Sequence, residues 1–250
     1  MPRIMTYNVH RCVGTDRKLD VARVADVIAA EEPDIVALQE LDMLRARTGM
    51  VDQAHEIAKL LEMAYHFHPA MQVEEEFYGD AILTRYPERL VQAAPLPGYG
   101  SAWLIEPRGA LWVAVDIDGV EVQIINAHLG LIPREQQAQA VALAGPSWAE
   151  HPLCKPPAIL LGDFNATAGS QVYRALTRRL KDARLLDPPP RGPTSTFPSR
   201  MPVLRIDHVF VTEGVTVLDV RAPFNPEVRI ASDHCPLLMD FEVHAQTPSR

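Results

Sequence analysis

Polar side chains of a narrow chemical range recur where apolar runs of strand length end. Asn8 follows RIMTY, Glu40 follows DIVALQ, His128 follows QIINA, and Asp163 and Asn165 follow AILLG. Asp207 and His208 sit inside RIDHVF, while Asp233 and His234 precede CPLLMDF. Taken singly each has a plain structural reading, because Asp and Asn suit turns and can bond their own backbone. Taken together they form a set whose strand ends, on one rim of a sandwich, would converge on one pocket. Asp, Glu and Asn oxygens are hard ligands suited to Mg²⁺, with Mn²⁺ as an alternative and Ca²⁺ a poorer match. A hard cation beside His and Asp suits phosphoester hydrolysis: charge on the phosphate is offset, a carboxylate orients water, and an imidazole stabilises the transition state. The sequence holds no HExxH or CxxC zinc spacing, no glycine-rich phosphate loop and no GxSxG elbow.

Residues two apart in an extended segment share a face. Asp163 and Asn165 can therefore point into one cleft while Phe164 packs away. The same alternation separates Asp207, the site candidate, from His208.

The elements that must carry these groups are legible as strands and helices in alternation. RIMTYNV, DIVALQE, GDAILTRY, ALWVAVDI, EVQIINAHL, AILLGD, RIDHVFV, VTVLDVRA and CPLLMDFEV read as strands, and Asp118-Gly119 marks a hairpin turn. LDVARVADVIAAEEPD places Val21, Val24, Ala25 and Ile28 on one helical face behind a capping Asp20. DQAHEIAKLLEM and PREQQAQAVALA read as helices, the second with Pro133 in its first turn, and Tyr173, Leu176 and Leu180 suggest another. The proline-rich stretch over 187–202 should be an ordered loop or lid that shapes the pocket. Strands joined mostly by hairpins with interspersed helices predict two stacked sheets flanked by helices. The expectation is one domain over 1–243, with 244–250 a flexible C-terminal tail.

Composition narrows the partners. Of the 250 residues 47% are hydrophobic, enough for a sizeable core. A formal charge of −8 speaks against tight non-specific binding to duplex nucleic acid, and acids that hold a cation would themselves lower the total. Three widely spaced cysteines fit a reducing compartment better than a disulfide framework. The opening MPRIMTYNVH lacks an apolar signal core and no run is long enough to span a bilayer, so the expectation is a cytoplasmic protein.

The segments TYNVH, LQE, YGDAILTRYP, NAHLG, GDFNA, STFPS, RIDHVFV and SDHCPL, in this order, resemble the endonuclease/exonuclease/phosphatase superfamily. That group includes exonuclease III-like nucleases, pancreatic-type deoxyribonucleases, sphingomyelinases, inositol-polyphosphate phosphatases and deadenylases. The resemblance runs from Asn8 to His234, and GDFN with SDH is its specific part. It implies an α/β fold, a four-layer αββα sandwich of two stacked, mainly antiparallel sheets flanked by helices. It also implies roles. Glu40 resembles the principal metal ligand, with Asn8 beside it and Asp233 in or behind the metal site. Asp163 resembles the residue that orients or deprotonates water, and Asn165 a phosphate-oxygen ligand. His234 resembles the catalytic histidine, Asp207 its orienting carboxylate, and His128 a second imidazole at the phosphate.

Two features depart from the common pattern or add to it. Asp80 stands where Asn is usual, adding negative charge that could pair with His128. Arg47, following the Glu40 strand with Arg45, could clamp a second phosphate or a carboxylate of the substrate. Aromatics make up 6% of the chain, and the acidic run Glu74, Glu75, Glu76 precedes the Asp80 strand. Neither suits a polyanion-gripping nuclease. The expected substrate is therefore a small or lipid-derived phosphoester, with a DNA or RNA nuclease as the alternative. A non-catalytic binding module on the same fold is the reading from a different class, opposed by the presence of Glu40, Asp163 and His234 together.

Overall fold

The protein is described by a computed structural model covering residues 1–98, 106–188 and 192–244. Strand alternation sorts its apolar residues into three cores, and the three cores fix four layers. In β1 (Arg3–Asn8) and β2 (Ile35–Met43), Ile4, Ile35 and Ala37 face a central core; Met5, Val36 and Leu38 face the opposite way. There they meet Val24, Val27 and Ile28 of α1 (Val21–Ala30) and Ile57 of α2 (Gln53–Leu61). The second sheet mirrors this pattern. Ile124 of β7 (Val120–His128) and Ile159 and Leu161 of β8 (Ala158–Asp163) join the central core. Ile125 and Leu160 instead pack on Leu143 of α3 (Pro133–Ala144) and Leu176 of α4 (Gln171–Leu176). The helix starts follow the capping chemistry of the sequence, with Asp20 accepting from Arg23 N at 2.9 Å and Asp52 from His55 N at 3.0 Å.

The remaining strands are β3 (Ala64–Val73), β4 (Glu76–Thr84), β5 (Glu88–Pro95), β6 (Gly109–Ile117), β9 (Lys181–Asp182), β10 (Asp207–Val211), β11 (Val215–Arg221) and β12 (Leu237–Val243). One sheet runs β11-β12-β1-β2-β4-β3 and the other β5-β6-β7-β8-β10-β9. Both are mixed. Each carries one parallel pair, β1 with β2 and β7 with β8, and is otherwise antiparallel. The parallel pairs are the crossovers over α1 and α3, and they occupy the middle of their sheets. The β6–β7 hairpin turns on Asp118 and Gly119, both at positive φ (53° and 84°), the geometry that an Asp-Gly pair accommodates.

A polar cluster interrupts the central core. Gln39 of β2 donates to Asn126 of β7 at 2.8 Å, and Asn126 donates to the Leu38 and Ala81 carbonyls, each at 2.9 Å. Thr6 closes the group against Gln39. These buried side chains satisfy one another, which a polar group in a core requires.

Several elements lie outside the sequence expectation. β3 and β5 are half-exposed edge strands, with no apolar run to mark them. Two short helices were also unmarked, α5 (Ala183–Leu186) and α6 (Pro226–Ala231), the latter capped by Asn225. His244, expected to fray, donates its backbone N–H to Gly214 O at 2.9 Å; residues 245–250 of the expected tail lie outside the described residues. Of the proline-rich stretch, residues 189–191 also lie outside them. Its later part is irregular but anchored, Phe197 bridging to Leu204 and Ser199 N donating to Asp233 O at 2.7 Å.

Candidate active site

The site forms where the inner faces of the two sheets meet the C-terminal ends of their parallel pairs. Asn8 continues the inward face of Ile4 and Thr6, His128 that of Ile124 and Asn126, and Asp163 that of Ile159 and Leu161. Asp207 pairs directly with Asp163 in the β8–β10 register, so it lies at the same end. Gly162 is what lets Asp163 come this close to β7. At φ 145° it passes the neighbouring strand so tightly that a Cβ would stand 1.8 Å from the Ala127 carbonyl oxygen.

Glu40 is on the wrong parity for the inner face and reaches it by a bulge. The β2–β4 register shifts between Leu38 and Leu41, and Glu40 adopts φ 62°. An L-residue holds such a conformation only where its surroundings fix it. The buried Asp80 carboxyl lies beside this segment, near enough for the Glu40 N–H to lower its pKa.

Asp163 lies at the centre of the assembled group. Its Oδ2 accepts from Asn8 Nδ2 at 3.0 Å and lies 3.6 Å from Nε2 of both His128 and His234. Its Oδ1 accepts from the Asn165 N–H at 2.8 Å. Asn8 Nδ2 also donates to Glu40 Oε1 at 3.0 Å, so the amide faces both acids with its donor end; holding a cation would require it to turn Oδ1 inward. His234 Nδ1 meets Asp207 Oδ2 at 2.9 Å, and Thr196 Oγ1 donates to the same oxygen. The Phe197 ring lies 4.9 Å from the His234 ring. Asn165 Nδ2 donates to the Leu129 carbonyl at 3.0 Å and lies 3.2 Å from His128 Nε2. His208 turns the other way, to the Ala166 carbonyl at 2.8 Å, among Phe164, Tyr173 and Phe210.

The two imidazoles are held in opposite charge states. Burial opposes the charge on His234, but Asp207, Asp163 and Asp233 outweigh it and raise its pKa to about 10. Burial pushes His128 well below the ordinary imidazole value, and the positive Arg108 and His234 push the same way. Burial raises the Asp163 carboxyl, Asp207 adds to this, and His234 with the Asn8 and Asn165 hydrogen bonds opposes it. An acid raised above its ordinary range, beside a charged imidazole, is suited to exchanging a proton near neutrality.

Asp80 does not pair with His128. His128 Nδ1 faces Arg108 Nη1 at 3.1 Å instead. Burial raises the Asp80 carboxyl to about 8, partly offset by Arg108 and the Glu40 N–H. Arg47 is committed to Asp42 through two bonds, Nε at 2.7 Å and Nη2 at 2.6 Å, and its guanidinium lies 5.5 Å from the Tyr78 ring centroid. It nonetheless lines the open cleft of about 300 Å³ beside the acids, with His10, Arg11, Glu40, Tyr78, Glu106, Arg108 and Asp233.

Sequence reasoning missed Arg108, Thr196 and Phe197. The last two lie in STFPS, which carried the resemblance without an assigned role. Arg108 stands before the ALWVAVDI strand and ends no apolar run, so no pattern marked it.

The oxygen donors fit a divalent cation at the Glu40 end. Among the described residues no Lys or Arg lies within ion-pair distance of Glu40, and Asp233 lines the same cleft. Asp163, Asp207 and His234 bring donor atoms within 4.8 Å of one another. Asp207 and His234 satisfy each other as an ion pair, which makes that trio a poor cage for a second positive charge.

Comparisons with known proteins bear on the fold and the family. An uncharacterised protein, YbhP of Escherichia coli, is 25% identical over 257 residues, covering 97% of this chain and 96% of its own. A mannosyl-6-phosphatase of Bacteroides thetaiotaomicron superposes with a TM-score of 0.74 at 21% identity, covering 97% of this chain and all of that one (100%). The human Nocturnin catalytic domain superposes at 0.70 and 21% identity, covering 97% of this chain and 94% of that one. The sequence profile of the family described as Endonuclease/Exonuclease/phosphatase matches residues 5–234, a span that contains Asn8, Glu40, His128, Asp163, Asn165, Asp207 and His234. The chain therefore belongs to the endonuclease/exonuclease/phosphatase family.

Proposed function

We propose that this protein is a divalent-metal-dependent phosphodiesterase or phosphatase that cleaves a small or lipid-derived phosphoester by in-line attack of water. Members of its family hydrolyse phosphoesters and depend on a divalent metal. The observation that carries the reading is the position of the Asp163 carboxylate, 3.6 Å from each of two imidazoles and bonded to Asn8. In the proposed assignment Glu40, with Asn8 and Asp233, holds Mg²⁺ or Mn²⁺. The ion supplies positive charge against the phosphate oxygens. Asp163 orients the attacking water and accepts its proton. Asn165 Nδ2 and His128 Nε2 donate to a phosphate oxygen. His234, kept charged by Asp207, stabilises charge as it develops on the phosphorane and the leaving oxygen. Arg47, at the cleft wall, contacts the part of the substrate beyond the scissile bond.

A cleft of about 300 Å³ is on the small-molecule scale, which favours a compact ester over a nucleic-acid strand. That a mannosyl-6-phosphatase shares the fold is compatible with a small substrate. The reading treats residues 1–243 as one functional unit, since each sheet supplies half of the site. Three unpaired, buried cysteines suit a reducing cytoplasm, and no helix among the described residues is long and apolar enough to cross a membrane.

The test is turnover of bis-p-nitrophenyl phosphate and p-nitrophenyl phosphate with Mg²⁺ or Mn²⁺, abolished by EDTA and by His234→Ala. The preferred compound separates diesterase from monoesterase. Cleavage of DNA or RNA in place of both would make the protein a nuclease. No turnover on esters, nucleic acids or phospholipids would leave a narrow substrate specificity or a binding module.

A further inference from the structure

The proton on His128 is placed by a neighbour that can only donate. Arg108 Nη1 lies 3.1 Å from His128 Nδ1, and His128 is 2% exposed. A guanidinium has five N–H donors, no acceptor, and keeps its charge. The ring nitrogen facing it must therefore offer a lone pair. In a neutral imidazole that leaves the proton on Nε2, the nitrogen that points at Asp163 and Glu40.

The surroundings hold Arg108 to this task. Nη1 also pairs with Glu106 Oε1 at 2.5 Å, and the Arg108 carbonyl accepts from Leu96 N at 2.8 Å just before β6. Glu106 is also the strongest of the charges that favour the guanidinium against its burial. On the opposite side of the ring, Asn165 Nδ2 lies 3.2 Å from His128 Nε2 and is fixed by its bond to Leu129 O. With the proton on Nε2, the ring and the Asn165 amide are both donors and do not satisfy each other; Asp163 Oδ2, 3.6 Å from Nε2, is the carboxylate oxygen on that side of the ring.

We propose that Arg108 is a positioning residue that locks His128 as the neutral Nε2–H tautomer, making the ring a hydrogen-bond donor to a phosphate oxygen and not a proton-transfer acid. Its use in turnover rests on the phosphoesterase reading above, but the tautomer does not. No bond is made or broken at His128 in this assignment.

The deciding measurement is the long-range proton–nitrogen spectrum of the whole protein labelled with nitrogen-15 histidine at neutral pH. His128→Gln identifies the ring. The expected pattern is a protonated Nε2 and a bare Nδ1. A proton on Nδ1, or on both nitrogens, would overturn the proposal whether or not any ester is hydrolysed. Arg108→Met should let Nδ1–H appear, and Arg108→Lys, still a pure donor, should restore the original pattern.

Where an ester is turned over, Arg108→Met should lower kcat by about 10- to 100-fold, below the cost of deleting an oxyanion donor outright. KM should stay within about threefold, and Arg108→Lys should recover part of the loss. In a His128→Gln background Arg108→Met should cost nothing further. Losses that multiply would mean that Arg108 acts without His128, and would equally overturn the assignment.

Discussion

Two histidines approach the same carboxylate oxygen at the same distance, yet the protein treats them in opposite ways. His234 arrives from the loop before β12 with Asp207 behind its Nδ1; His128 arrives from the end of β7 with Arg108 behind its Nδ1. Burial alone would make both rings neutral, since both are nearly inaccessible. The anion behind the ring, with the acids in front of it, keeps His234 charged, whereas burial, aided by the cation behind the ring, keeps His128 neutral. The group behind the ring reverses the effect of burial in one case and reinforces it in the other.

Asp163 is the point on which this comparison turns, and its loss should have the largest effect. Asp163→Asn keeps the shape and the contact with the Asn165 N–H but removes the base. Turnover should fall by about 10²- to 10⁴-fold while the circular dichroism spectrum stays the same. Wild-type-like rates would remove Asp163 from the water-orienting role.

Asp207→Asn breaks the anionic half of the comparison. Removing one partner of a buried pair costs about 3–5 kcal/mol, to be read as a lower denaturation midpoint at neutral pH. The sign with pH follows from linkage. The folded-state pKa of His234 is raised to about 10, so its stabilisation is full below the ordinary value of about 6.5 and is lost as pH rises through 10. The variant should lose this alkaline dependence, and an unchanged pH–stability curve would show that the pair does not control the ring.

Glu40→Gln asks whether the cation belongs at the Glu40 end or with the His234 pair. The metal titration midpoint, followed by calorimetry, should move by more than about tenfold, a change that even outer-shell substitutions reach. An unmoved midpoint would direct attention back to Asp163, Asp207 and His234. Asp80→Asn is the mildest change. Burial raises the Asp80 carboxyl to about 8, so wild-type stability declines as pH rises from about 4 through 8. Asn keeps the size of the side chain but cannot ionise, and the decline should flatten. A slope identical to wild type would show that Asp80 is not the titrating group.

Much of this could be read in the chain before any fold was known, for a physical reason. Period-two burial makes a central strand visible as an apolar run, and polar residues that interrupt such a run at its end stand out; GDFN and SDH did so. Arg108 did not stand out because its meaning lies in a contact twenty residues away in sequence. Asp80 was visible as a departure, but its partner was misjudged. Whether an acid faces a ring or a backbone N–H depends on the β2 bulge, which leaves no mark in the residue types. The edge strands β3 and β5 escaped because half-exposed strands have no continuous apolar signature.

The Gln39–Asn126 contact between the sheets bears on how such a site keeps its dimensions. Apolar faces slide over one another at little cost, because the hydrophobic effect has no direction. Two amides that must find each other admit one alignment. Half of the site rides on each sheet, so a slip of an ångström between them would leave the hydrophobic layers content and the reacting distances wrong. The amides act as a locating pin, and a core made smoother by Asn126→Leu could gain packing while the instrument above it lost its calibration.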